Sequence, residues 1–134
     1  MDSQHLRRLF EAYRTIAVVG LSNKKHRESY TTAKYLQAQG YRIIPVTPRF
    51  EEILGEHCYP NLRAIPEQID IVNCFVGADR IPPIAEEAIA IGARILWLQL
   101  GIVNEEAARR AVAAGLEVVM DRCIMLEHKR LLAQ

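Results

Sequence analysis

The sequence predicts an α/β fold, a single doubly wound parallel sheet of five strands with helices on both faces. Three observations point there. Five short apolar runs rich in β-branched residues start at residues 15, 41, 69, 93 and 116. Most are nearly continuous rather than alternating, as strands covered on both faces are. Their starts lie 26, 28, 24 and 23 residues apart, which leaves room in each interval for a helix and two turns, the crossover that parallel strands require.

Taken in order, Leu6, Leu9, Phe10 and Tyr13 form the stripe of an amphipathic N-terminal helix, and residues 15–19 form the first strand. A helix over about residues 29–39 ends at Gly40 and leads into a second strand at 41–46. Residues 47–68 break the pattern: Pro48, Gly55, Pro60, Asn61 and Pro66 predict a long loop with one helical turn after Asn61. The third strand spans 69–76. Behind it Ile81, Ile84, Ala88 and Ile91 share a helical face, with Pro82 and Pro83 suited to the first turn and Gly92 as the stop. The fourth strand spans 93–100. Asn104 then caps a helix with Glu105 and Glu106 in its first turn and Gly115 at its end. The fifth strand spans 116–120, and residues 123–132 read as a closing helix. No repeat, linker or low-complexity tract divides the chain, so residues 1–134 are expected to form one domain, with the strand order 3-2-1-4-5.

Composition narrows the function. The 134 residues are 50% apolar and 25% charged, enough for one ordinary core. Lys+Arg minus Asp+Glu is 17 − 16 = +1, so neither nucleic acid nor an anionic membrane is expected as a charge-driven partner. The longest apolar run, 95–103, is half a membrane span and is interrupted by Gln99 and Gly101. Without a signal-peptide pattern, and with three cysteines lacking CxxC spacing, a cytoplasmic protein is expected. His57 and Cys58 are adjacent but no second pair stands at ligand spacing, so no metal site is expected.

In doubly wound sheets, ligands sit beyond the carboxyl ends of the strands where the strand order reverses. After the first strand comes Gly20-Leu21-Ser22-Asn23-Lys24-Lys25-His26-Arg27. A turn-forming glycine, side-chain hydroxyl and amide groups, and three cations before a helix N-terminus suit phosphate groups. The segment is neither a GxxxxGK[ST] loop nor a GxGxxG fingerprint. The second strand ends in Thr47-Pro48-Arg49, where an NAD site would place an acidic residue. An arginine suits NADP or another phosphate. Phe75 and Val76, ending the third strand, offer an apolar wall for a flat base or are simply core. The end of the fourth strand carries Gln99-Leu100-Gly101-Ile102-Val103-Asn104, and that of the fifth Met120-Asp121-Arg122-Cys123. Cys123 has a helix N-terminus and an arginine beside it, features that favour a thiolate, but no histidine base is identifiable. It is read as structural or ligand-lining, and no catalytic residue is assigned.

The segments Ala17-Val18-Val19-Gly20-Leu21-Ser22, Pro45-Val46-Thr47-Pro48, Leu98-Gln99-Leu100-Gly101-Ile102-Val103-Asn104-Glu105-Glu106-Ala107 and Met120-Asp121-Arg122-Cys123 resemble the standalone bacterial and archaeal CoA-binding proteins. Those are similar in turn to the CoA-binding domain of the succinyl-CoA synthetase α subunit and of NDP-forming acyl-CoA synthetases. The resemblance covers roughly residues 13–128. It implies a Rossmann-like fold and coenzyme A, or an acyl-CoA, as ligand. Carried over by position, Gly20, Leu21, Ser22 and Lys24 would cradle phosphates, and Thr47, Pro48 and Arg49 would meet the nucleotide. Phe75 and Val76 would flank the adenine, and Gln99 completes the set. The loop after the first strand has fewer glycines than the synthetase version, and the synthetases keep their phosphorylated histidine in a following domain. The role implied is that of a carrier, sensor or partner subunit without a catalytic centre of its own, working with a protein partner or as a homodimer. An NAD(P)-binding oxidoreductase-type domain and a nucleotide-responsive regulatory domain are the alternatives.

Overall fold

The computed structural model describes residues 1–132. The chain runs through α1 (Ser3–Ala12), β1 (Thr15–Val19), α2 (Glu28–Ala38) and β2 (Arg42–Val46), then a small antiparallel ribbon of β3 (Glu52–Ile53) and β4 (Glu56–His57). It continues through β5 (Ile71–Cys74), α3 (Ile81–Ala90), β6 (Ile95–Leu98), α4 (Glu105–Ala113), β7 (Glu117–Val119) and α5 (Ile124–Leu131). The expected α/β architecture is present: five parallel strands with helices on both faces. The last two residues of the segment expected as one domain, 133 and 134, lie outside the described residues.

Local chemistry sets the helix starts. Asp2 accepts from the His5 N–H at 2.9 Å to open α1, and Asn104 accepts from the Ala107 N–H at 3.0 Å to open α4. The helical turn expected after Asn61 is a 3-10 turn, Leu62–Ala64, closed by the Asn61 side chain on the Ala64 N–H at 3.0 Å. The β3–β4 ribbon, inside what the sequence reads as loop, is too short to show a period-2 pattern.

The strand order differs from expectation. The sheet runs β2-β1-β5-β6-β7, which in the numbering of the five long runs is 2-1-3-4-5 rather than 3-2-1-4-5. The third run pairs with β1, in register Ile16 with Ile71 and Val19 with Cys74. The reason lies on the outer edge of β2. There the returning loop donates the Tyr59 N–H to the Pro45 carbonyl at 3.0 Å and accepts the Thr47 N–H at the Tyr59 carbonyl at 2.8 Å. Pro45 turns its carbonyl outward, the side on which it has no N–H to give, so β2 cannot carry another full strand there. The next long strand passes to the far side of β1, and the strand order reverses between β1 and β5.

Two cores flank the sheet. On one face α3 and α4 cover Val72, Cys74, Leu96 and Leu98. On the other, α1, α2 and α5 cover Ile16, Val18, Ile71 and Trp97, whose indole N–H donates to the Arg122 carbonyl at 2.8 Å. That layer also buries His128, with the Phe10, Tyr35 and Tyr41 rings set edge-on around it at 5.3 to 5.6 Å and the Tyr35 hydroxyl 2.7 Å from its Nδ1.

Candidate functional site

At the reversal point, beyond the carboxyl ends of β1, β2 and β5, the fold leaves a cavity of about 1130 Å³. Its floor depends on Gly20. This residue has φ +84° and donates its N–H to the Val46 carbonyl at 3.0 Å, tying the end of β1 to that of β2. A Cβ here would lie 2.9 Å from Val76 Cγ1 and 3.1 Å from the Phe75 carbonyl oxygen. Only glycine therefore combines the left-handed backbone with so close an approach to the end of β5.

One wall is the loop after β1. The Ser22 N–H donates to Ser29 Oγ and the Lys24 N–H to Ser22 Oγ, each at 3.1 Å, so the two hydroxyls brace the loop against the first turn of α2. Arg27 sits at the N-cap position of α2 without a side-chain hydrogen bond, which leaves the first turn of this 11-residue helix without a side-chain cap. Uncapped amides and the positive end of the helix dipole favour an anion. The second wall follows β2, where the Arg49 N–H donates to Thr47 Oγ1 at 3.2 Å. The third is Phe75, Val76 and the face of α3 that carries Pro83, Ile84 and Glu87.

The charge around the cavity is largely uncommitted. Lys24, His26, Arg27, Arg49 and Arg80 all line it, and none forms an ion pair among the described residues. Arg42 provides the contrast. On the solvent side of β2 it donates to Glu56 and, at 2.8 Å, to Glu67, and these bonds hold its guanidinium more firmly protonated and the Glu67 carboxyl below its ordinary range. Of the cavity's acids, Glu28, Asp79 and Glu87, only Glu87 forms an ion pair among the described residues, with Arg63 at 3.9 Å. A cluster of free cations next to helix amides suits phosphate, and the apolar surface of Val76 and Ile84 suits a flat ring.

Of the residues singled out from sequence, Gly20, Ser22, Lys24, Thr47, Pro48, Arg49, Phe75 and Val76 are brought together on this cavity. Leu21 and Gln99 are not. The Leu21 side chain turns into the α1–α2–α5 core and is 1% exposed. Gln99 is 4% exposed, and its Oε1 accepts the Ile124 N–H at 3.0 Å, so it serves as a cap for the start of α5. For Gln99 the reason is the strand order: the reversal lies between β1 and β5, and β6 ends one strand farther on. Cys123, half-buried at the N-cap of α5, is likewise outside the lining. Cys58 and Cys74 are buried. Burial, then the Glu52 charge, pushes the Cys58 thiol up, and burial pushes that of Cys74 up to about 12.

Sequence reasoning passed over Arg80, Glu87 and Asn61. The first two were legible: Arg80, Pro83, Ile84 and Glu87 recur at helical spacing immediately after the third strand's end. Asn61 reaches the cavity only because the long loop folds back along β2, which no local pattern announces. Among the described residues no group of three or more His, Cys, Asp or Glu side chains converges as a metal site would require. Nor is any helix among them long and apolar enough to cross a membrane.

The family model described as "CoA binding domain" matches residues 14–129. The Uncharacterized protein YneT of Bacillus subtilis (strain 168) is 40% identical over 123 residues, which cover 92% of this chain and 91% of that protein. A solved structure of a hypothetical protein from Pyrococcus horikoshii OT3 superimposes with a TM-score of 0.96 at 40% identity, covering 98% of this chain and 93% of that one. Acetate--CoA ligase [ADP-forming] I of Archaeoglobus fulgidus is 27% identical over 121 residues, covering 83% of this chain but 18% of the ligase.

Proposed function

Because the chain belongs to the CoA-binding domain family, we propose that its cavity binds coenzyme A or an acyl-CoA. The observation that carries this reading is the combination, in one cavity, of unpaired cations beside the uncapped start of α2 with apolar surface from β5 and α3. Coenzyme A has the matching division: a pyrophosphate and a ribose 3′-phosphate next to a flat adenine, with an uncharged pantetheine arm. Gly20, Ser22 and Lys24 hold the pyrophosphate against α2, and Thr47, Pro48 and Arg49 meet the ribose and its phosphate. Phe75 and Val76 provide the apolar floor. Bound, the group supplies a thiol that carries acyl chains as thioesters.

The chain's own contribution is to bind and orient. Residues 1–134 act as one cytoplasmic domain, a carrier, sensor or partner subunit working with a protein partner or as a homodimer. The ligase relative, in which a similar segment belongs to a much longer chain, supports the partner role.

The test is a side-by-side titration with CoA, acetyl-CoA, NAD, NADP and ATP, read by calorimetry and by thermal melting. A ligand at a hundredfold its Kd stabilises the folded state by about 2.7 kcal/mol, so CoA is expected to raise the Tm by several degrees while NAD at equal concentration does not. Equal or greater stabilisation by NAD would overturn the reading.

A further inference from the structure

Glu87 is one of three carboxylates lining the cavity, with Glu28 and Asp79, that phosphate binding cannot use. It stands on α3 one turn beyond Pro83 and Ile84, at the end of the cavity formed where α3 packs against the 3-10 turn Leu62–Ala64. Leu62, Val76 and Ile84, all buried, make the walls there. The carboxylate has Arg63 at 3.9 Å from Oε2 and no closer cation among the described residues, and its side chain is 24% exposed. An ionised carboxylate only accepts hydrogen bonds and repels phosphate, so whatever enters this apolar end must present a hydrogen-bond donor to it.

Resting on the CoA reading above, we propose that Glu87 is a specificity-determining residue that accepts a hydrogen bond from the exocyclic amine of the adenine, whose ring lies between Leu62, Val76 and Ile84. Of the cavity's cations, Lys24 and Arg27 stand at the α2 end and Arg80 precedes α3 about two turns before Glu87, so the phosphates belong there and the base belongs here. Of the uncharged parts of the ligand, the adenine is the one that joins a flat apolar face to an amine on its edge. A carboxylate facing that edge makes the site selective for a purine that keeps its amine N–H groups.

The experiment compares CoA with 1,N6-etheno-CoA, whose base stays flat but has no N–H on that edge, in the wild-type chain and in Glu87→Gln. The glutamine is isosteric and offers the base both a donor and an acceptor. The wild type is expected to bind CoA at least about tenfold more tightly than etheno-CoA, the worth of one charge-assisted hydrogen bond. Glu87→Gln is expected to bring the two within about threefold of each other, with an unchanged melting temperature in the absence of ligand. Equal affinities in the wild type would overturn the assignment. So would a preference that survives in Glu87→Gln, because the added ring would then be excluded by shape alone. A wild type that binds neither compound would instead overturn the CoA reading on which this one rests.

Discussion

Gly20 approaches Val76 so closely that a Cβ on the glycine would lie 2.9 Å from Val76 Cγ1, with the Phe75 carbonyl oxygen at 3.1 Å on the same side. The end of β1 and the end of β5 are thus fitted to one another at the point where the strand order reverses, and the cavity exists because they are. Gly20→Ala is expected to lower stability by about 1–3 kcal/mol, from the left-handed backbone and the crowding together, and to weaken CoA binding by displacing the loop. Adding Val76→Ala should recover part of the ligand affinity but not the backbone term. Chemical denaturation and calorimetry on the three variants check this; full recovery in the double variant would mean that backbone conformation contributes nothing.

Lys24 and Arg49 stand on different walls of the cavity with no carboxylate partner among the described residues. Replacing either with alanine is expected to weaken CoA by about 1–3 kcal/mol, the range for hydrogen bonds to charged groups, with no loss of melting temperature in the absence of ligand. Titration with dephospho-CoA separates their roles, since the residue that meets the ribose 3′-phosphate loses its effect with that ligand. Unchanged affinity in both variants would leave the loop as a solvated turn.

The layered architecture was legible because five apolar runs at crossover spacing leave few alternatives, and because Asn104, Gly92 and Gly115 mark helix ends by local chemistry alone. The strand order was misread although one residue carried the answer: Pro45 within the second run marks an edge strand, which the order 3-2-1-4-5 would have placed between neighbours. The candidate site followed the same division. Residues next to strand ends, such as Ser22 and Thr47, were found by the strand-end rule, whereas Asn61 and Leu62 arrive through a long-range fold of the loop onto β2. Gln99 met the same rule and lies outside this cavity, since the rule names an edge of the sheet and not the place on it where the order reverses.

Asn73 sits in the middle of β5 between Val18 and Trp97, fully buried, and neither atom of its amide has a hydrogen-bond partner among the described residues. A buried polar group left unsatisfied costs about 1–3 kcal/mol. Asn73→Leu, close in volume and facing the same apolar core, is expected to raise stability by an amount in that range. The check is the denaturation midpoint at constant m-value. A lower midpoint would show that the amide is satisfied by a buried water, which the leucine displaces.

His128 supplies the pH dependence. Burial, with a smaller contribution from the positive charge of Arg14, holds its imidazole below the ordinary value of 6.5. Among the described residues, the groups around it offer no compensating carboxylate. Phe10 comes from α1, Tyr35 from α2 and Tyr41 from the approach to β2, while Lys129 on its own helix lies over the Tyr35 ring and Arg14 over that of Tyr41. The unfolded chain therefore takes up a proton at higher pH than the folded one. The contribution of the neutral ring to stability is complete above about pH 6.5 and is lost as the pH falls from there toward the lowered folded value. Thermal melts of the wild type and of His128→Gln between pH 8 and pH 5 measure this. The wild type should lose Tm faster than the variant below about pH 6.5, with the two curves parallel above it. Parallel curves over the whole range would mean that His128 does not carry the acid sensitivity of the α1–α2–α5 layer.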